Sequence, residues 1–265
     1  METDTLRKLQ LVELEILEQI DTICTQNGIS YFLDSGTALG AVRHGGFIPW
    51  DDDVDIGMLR EDYEHFIQIA ETELDPKYCI QTRETEPNFG KYSAKVRKRG
   101  TIFPEKGSEN FTERGIFVDI YPFDYIDNDI RIANRQINKA RRILLLLRFI
   151  QTNERRSSVL KRILHKLTTI VVPEKALENY YIRYCTQYSK TPTANLTCFS
   201  YRMARDHNYI FSYDEMLPSH RIKFEGKDFM IMKNSDYYLR TMYHDYLTLP
   251  PEEKRICHAS DEVVF

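Results

Sequence analysis

The chain has 265 residues, 42% of them hydrophobic and 29% charged, the balance of an ordinary soluble protein with one sizeable core and an added subdomain. No apolar run approaches the roughly 20 residues that cross a bilayer, and Met1-Glu2-Thr3-Asp4 lacks the order of a signal peptide, so a cytoplasmic location is expected. The five cysteines, Cys24, Cys79, Cys185, Cys198 and Cys257, show no paired spacing, which argues against a disulfide framework or a zinc knuckle.

In chain order, Leu6, Leu9, Glu13, Ile16, Leu17, Ile20, Ile23 and Cys24 recur at helical spacing with one polar member, and Asn27-Gly28 supplies a stop. This predicts an amphipathic opening helix. Ile29 to Leu33 reads as a short buried strand, Ser35-Gly36-Thr37 as a capping turn, and Thr37 to Arg43 as a helix broken by Gly45-Gly46 and Pro49. Val54 to Met58 is the next strand and Asp62 to Leu74 the next helix. Lys91 to Lys98 alternates as a strand, and Gly115 to Phe123 is an apolar run interrupted by Asp119. Alternating strands and helices make the class α/β, in the mixed α+β sense.

From Ile130 to about Lys190 the pattern turns helical, with Arg131, Arg135, Lys139 and Arg142 on one stripe and Ala133, Ile137, Ala140, Leu144 and Leu147 on the other. A second amphipathic stretch runs from Val159 to Val171. Residues 131–166 hold eleven lysines or arginines against the single acid Glu154, although the whole chain carries a net charge of −4. Such a segment either contacts an anionic membrane surface or forms the solvated face of a packed subdomain. Nucleic acid is not an expected partner, because no binding motif accompanies the charge. The last quarter predicts a hairpin, Arg221 to Phe224 and Lys227 to Ile231 around Glu225-Gly226, and a Tyr-rich helix from Ser235 to Tyr246. The expected organisation is a catalytic core over 1–129, a basic helical subdomain over 130–190, and C-terminal elements over 191–265 that complete the core.

Asp53 and Asp55, one residue apart on a strand, point to the same face, and Asp51 joins them if the strand begins that early. Carboxylates so close repel unless a cation sits between them, and Mg²⁺, with Mn²⁺ as the alternative, is the natural occupant. Alone the pair is weak, since 19 aspartates in this length yield roughly one such spacing by chance. Context decides. Upstream, Ser35, Gly36 and Thr37 open a helix whose free N–H groups suit a phosphate. Downstream, Asp119 stands alone in an apolar run, where an ionised carboxylate is costly without a metal or partner.

The run from Tyr31 to Ile56, YFLDSGTALGAVRHGGFIPWDDDVDI, resembles the signature of the LicD family, which is related to the fukutin group. Gly115 to Asp124 and Leu249 to His258 resemble further blocks of that family, so the similarity covers roughly residues 29 to 258. The resemblance implies a nucleotidyltransferase-like mixed-sheet core. It also implies transfer of a phospho-alcohol, most often phosphocholine, from a CDP-linked donor to a hydroxyl of a cell-surface glycan or its lipid-linked precursor, with release of CMP. Asp53, Asp55 and Asp119 are then the metal ligands and catalytic residues, with Asp119 also a candidate base. Ser35, Gly36, Thr37, Arg43, His44, Asp51, Lys95, Arg97, Lys254, Arg255 and His258 are the candidate substrate contacts. Lys95 and Arg97 share a strand face, which is either part of the site or merely solvated. Two other readings use the same features: a metal-dependent glycosyltransferase, and a non-catalytic, membrane-docked glycan-binding protein. The basic 131–166 segment fits peripheral attachment at the inner face of the membrane, where lipid-linked acceptors lie.

Overall fold

The computed structural model describes residues 3–86, 89–105, 107–151, 172–201, 208–257 and 262–265. These form two compact units, residues 1–123 with 211–265, and residues 124–210. Strand pairing carries the start of the second unit back to Asp124.

In the first unit, helix α1 (Thr3–Asn27) buries Leu6, Leu9, Ile16, Leu17, Ile20, Ile23 and Cys24, and Gly28 takes the left-handed conformation that ends it, φ +65°. Strand β1 (Phe32–Leu33) leads into α2 (Ser35–His44), then β2 (Asp55–Leu59) and α3 (Arg60–Glu73). Strands β3 (Tyr78–Gln81), β4 (Ala94–Lys98) and β5 (Phe117–Ile126) complete a mixed sheet of order β1-β2-β5-β4-β3. Only β2 and β5 run parallel in it; the remaining neighbours are antiparallel. Gly57 is required at the middle of β2, since a Cβ there would lie 2.4 Å from the Phe32 ring and 2.7 Å from that of Phe123. Those rings instead meet edge to face, their centroids 5.0 Å apart.

In the second unit, Asp124–Ile126 of β5 pairs with β6 (Asn195–Thr197), and α4 (Ile130–Gln151) packs on α5 (Glu174–Cys185). The apolar stripe of α4 is buried, while Arg131, Arg135, Lys139 and Arg142 are exposed. The Val159 to Val171 stretch lies outside the described residues. No helix among the described residues is long and apolar enough to cross a membrane.

The chain returns to the first unit with β7 (Phe211–Ser212), the short helix α6 (Tyr213–Met216), the hairpin β8 (His220–Phe224) and β9 (Lys227–Ile231), and α7 (Ser235–Tyr243). The hairpin turn is Glu225-Gly226, both at positive φ. Several expected elements shift. Helix α2 begins at Ser35, so Ser35-Gly36-Thr37 is its first turn rather than a turn before it, because Asp34 takes the capping position. The strand expected over Ile29 to Leu33 shrinks to two residues, and that expected over Lys91 to Lys98 starts at Ala94.

Candidate active site

Strand register builds the centre. Asp55 on β2 lies beside Asp119 on β5, Asp119 beside Lys95 on β4, and Lys95 beside Gln81 on β3. Residues in register on paired strands project to one face, so four chemistry-bearing side chains form a single row. Asp55 Oδ1 and Asp119 Oδ1 are both buried and lack any hydrogen-bond donor. Asp119 Oδ2 accepts from Lys95 Nζ at 2.9 Å. Burial, reinforced by Asp53, Asp119, Asp34 and Asp51, holds the Asp55 carboxyl well above the usual carboxylate range. Buried polar atoms are normally paired, so two orphaned carboxylate oxygens in one row fit a hard divalent cation.

Asp53 precedes β2 rather than lying on it, so strand periodicity orients Asp55 alone. Asp53 comes to the centre through the loop, where carboxylate oxygens of Asp51, Asp52 and Asp53 lie within 4.8 Å of one another. Burial, with Asp53 and Asp52 adding to it, raises Asp51 to about 8. The start of α2 closes over this loop. Thr37 Oγ1 accepts from Asp55 N at 2.9 Å, and a Cβ on Gly36 would meet Asp51 Oδ2 at 2.8 Å. Asp34 caps the helix by accepting from Ser35 N at 2.9 Å and also receives the Tyr238 hydroxyl. The first turn of α2 is thus spent on aligning Asp55 and seating Asp51.

Lys95 and Arg97 are both 0% exposed, so the strand face they share is not solvated. Lys95 Nζ joins Asp119 to Glu105 Oε1, 3.1 Å away, and burial lowers it to about 8 against the pull of Asp119. Arg97 spends Nε on Gln81 Oε1 at 2.7 Å, Nη1 on Gly115 O at 2.6 Å and Nη2 on Glu105. It reaches Lys95 and Asp119 through Glu105. Lys91 Nζ stands 3.7 Å from Asp119 Oδ2 and 3.6 Å from Glu105 Oε1. Burial acts to raise Glu105, but Lys95, Lys91 and Arg97 overcome it and hold the carboxyl at about 2.

Around the loop, Arg43 Nη1 donates to Tyr246 O at 2.8 Å and its Nε meets His44 Nε2 at 3.0 Å. The His44 ring meets Trp50 edge to face at 6.4 Å, and the Arg255 guanidinium covers the other ring of that pair, Trp50, at 5.2 Å. Cys257 Sγ lies 3.5 Å from Asp52 Oδ2. The segment after Pro250 therefore packs on the Trp50–Asp52 turn. Lys254 is exposed, and His258 lies outside the described residues. A cavity of about 690 Å³, lined partly by Tyr78, Cys79, Gln81, Arg99 and Glu113, includes none of the clustered aspartates. Chemistry rather than volume locates the site.

Residues 28–143 match the model of the LicD/FKTN/FKRP nucleotidyltransferase domain. The chain is 32% identical over 274 aligned residues to the lipopolysaccharide cholinephosphotransferase LicD of Haemophilus influenzae, and the alignment covers 97% of each chain. The chain belongs to the LicD family. Shorter similarities reach the ribitol 5-phosphate transferase FKRP of mouse, 33% identical over 36% of this chain and 17% of that protein. The human FKRP is 48% identical over 23% of this chain and 13% of that protein.

Sequence reasoning missed several residues of this LicD-family site. Glu105 sits in a loop without a motif, and Asp34, 0% exposed, reads as an ordinary cap. Tyr243, 36% exposed as a whole residue, turns its hydroxyl towards Asp34, Asp55, Asp51 and Asp53, and desolvation there with those charges holds it well above the usual phenol range. Glu13 carried a signal, as the one acid in an apolar stripe. It is 1% exposed, and burial with Asp53, Asp51 and Asp52 pushes it well above the usual carboxylate range.

Proposed function

We propose that this LicD-family chain transfers a phospho-alcohol, phosphocholine in the first instance, from a CDP-linked donor to a hydroxyl of a cell-surface glycan or its lipid-linked precursor. The observation that carries the reading is the pair of orphaned buried oxygens, Asp55 Oδ1 and Asp119 Oδ1, in one cross-strand row. Similarity along nearly the whole chain to a cholinephosphotransferase supports the choice of phospho-alcohol.

Mg²⁺, or Mn²⁺ in its place, supplies charge neutralisation for the donor's two phosphates. Asp55, Asp119 and Asp53 are the residues that hold it. Asp119 acts as a ligand rather than a base, because Lys95 already occupies its other oxygen. Lys95 fixes Asp119 in place, while Glu105, itself held by Arg97, fixes Lys95 from behind. Arg43 is the cation that offsets the charge of Asp51, and serves as a candidate phosphate contact. In the reaction the acceptor oxygen bonds to the phosphorus bearing the alcohol, the bridging P–O bond to CMP breaks, and the hydroxyl proton passes to a carboxylate of the 51–53 cluster. The exposed basic stripe of α4 supports action at the inner face of the membrane.

The test is CMP release from CDP-choline with Mg²⁺ and a glycan acceptor. Asp55→Ala and Asp119→Ala are each expected to lower the rate by about a thousandfold or more, the scale on which a main electrostatic element of a transfer site acts. Wild-type rates in either variant refute the metal role, and turnover of a nucleotide-sugar but no CDP-alcohol replaces the reading with glycosyl transfer.

A further inference from the structure

The helix break Gly45-Gly46 does more than end α2. Gly45 O accepts from Glu225 N at 2.9 Å, and a Cβ on Gly46 would collide with Glu225 Oε1, so the two glycines form a seat for the β8–β9 turn. That turn is a two-residue connection with both residues at positive φ, Glu225 at +52° and Gly226 at +77°. Such turns favour Asn, Asp or Gly at the first position, and a glutamate there holds a backbone conformation it rarely adopts. Strain of this kind persists where the surrounding structure fixes it and the side chain has a task.

The contacts of Glu225 show the task. Its Oε1 accepts from Phe47 N at 3.0 Å, and its Oε2 from Arg7 Nη2 at 2.6 Å. Arg7 Nη1 donates in turn to Gln10 Oε1 at 3.2 Å, and Gln10 Nε2 donates to Asp51 O at 3.0 Å. One hydrogen-bonded chain thus leaves the loop at Phe47, passes through the hairpin turn and two residues of α1, and rejoins the loop at Asp51. The Phe47 ring also packs on that of Phe224, centroids 4.9 Å apart. Arg7, Gln10 and Glu225 all lie outside the segment that matches the family domain.

We propose that Glu225, Arg7 and Gln10 are positioning residues, which clamp the 47–51 loop at both ends and so hold Asp51, Asp52 and Asp53 in place. The clamp explains why a strained turn position carries a glutamate and why Gly46 follows Gly45. Its purpose rests on the transfer reading, since a displacement of about 1 Å at a reacting centre can lower a rate about a hundredfold. Its test does not.

Trp50, the single tryptophan of the chain, lies inside the clamped loop, so its fluorescence reports on the loop without donor or acceptor. The experiment compares the full chain with Glu225→Gly, Glu225→Gln and Gln10→Leu by acrylamide quenching of Trp50, hydrogen exchange of the 45–53 amides and thermal melts. Glu225→Gly suits the positive φ and removes the carboxylate. Gln10→Leu releases the other end and suits the buried face of α1, where Gln10 is 4% exposed, should the turn variant fold poorly. Loop exchange is expected to quicken about tenfold in Glu225→Gly and about fivefold in Gln10→Leu, the scales of a charge-assisted and a neutral hydrogen bond. Trp50 quenching rises with it, while exchange in α3 and β3 stays put. Glu225→Gln, which keeps an acceptor for Phe47 N, restores most of the protection. A merely structural tie predicts instead a lower melting temperature, exchange raised evenly over the first unit and unchanged Trp50 quenching. That result, or wild-type loop exchange in both Glu225→Gly and Gln10→Leu, overturns the proposal. In CMP release the same two variants should lower kcat about tenfold or more, with Glu225→Gln recovering most of it. A full rate in a variant whose loop has loosened also overturns the positioning role. Wild-type protein that releases no CMP refutes the transfer reading, and the exchange and quenching results still decide the clamp.

Discussion

Replacing Glu105 by Gln tests the charge arrangement beneath the centre. Its carboxyl is held at about 2 against an ordinary 4.5, because Lys95, Lys91 and Arg97 outweigh the burial that acts in the other direction. The group is depressed in the folded state, so its contribution is fully present above about pH 4.5 and is lost as pH falls towards 2. A difference of about 2.5 pH units corresponds to about 3.4 kcal/mol at neutral pH. With the side chain 21% exposed, little of that is lost to solvent screening. By pH 3.5 the linkage relation removes about 1.4 kcal/mol of it. Urea denaturation of wild type and Glu105→Gln at pH 7, 4.5 and 3.5 reads this directly: the variant is less stable by about 3 kcal/mol at pH 7, and the gap narrows as pH falls. A gap that stays constant, or widens, refutes the assignment of Glu105 as the counter-charge to three cations.

Lys95→Met leaves Asp119 and Glu105 facing each other with Lys91 as the cation near both and Arg97 on Glu105 alone, and should cost about 3 kcal/mol, the low end for breaking a buried pair, measured by urea denaturation at pH 7. Gly40→Ala places a Cβ 2.5 Å from Gly46 O, a backbone atom that cannot turn aside, and should destabilise by about 1–3 kcal/mol in thermal melts. Replacing Arg135, Lys139 and Arg142 together by Gln should weaken co-sedimentation with anionic vesicles by about 1 kcal/mol per residue, in a salt-dependent way, while the melting temperature stays put because all three are exposed.

The parts of the fold legible in the sequence were those with a strong local pattern. The opening helix announced its stripe and its stop, and the Glu225-Gly226 turn fixed the hairpin within one residue of the observed β8 and β9. Strand β3 went unread because Tyr78–Gln81 is four residues with no alternation against a charged exterior; its place comes from pairing with β4. At the site, the period-two rule put Lys95 and Arg97 on one face, but burial on both sides of β4 is a tertiary fact that a charged strand conceals. Glu105, Tyr238 and Tyr243 join through loops and a C-terminal helix, at separations no local pattern spans.

The centre is built with its charges unbalanced in one direction. Its cations, Lys91, Lys95 and Arg97, all gather at Glu105 and the Oδ2 side of Asp119, on the β4 flank. Towards β2 the row ends on Asp55, and beyond it lie Asp51 and Glu13; burial raises all three carboxyls, and Arg43 acts as counter-charge on Asp51. A stable core avoids such an arrangement, since each buried acid left unpaired costs more than an apolar residue of its size. Local rules are broken where function needs them broken, and the break here is polarised: cations fix one oxygen of Asp119 and leave the other facing uncompensated acid. The geometry therefore asks for positive charge at one place, between Asp119 Oδ1 and Asp55 Oδ1, and a ligand that binds only the folded chain there must stabilise it by mass action. At a hundredfold excess of Mg²⁺ over its dissociation constant the gain is about 2.7 kcal/mol. Asp55→Asn should abolish that gain while raising the stability of the metal-free chain, a pair of opposite signs that no purely structural role for Asp55 produces.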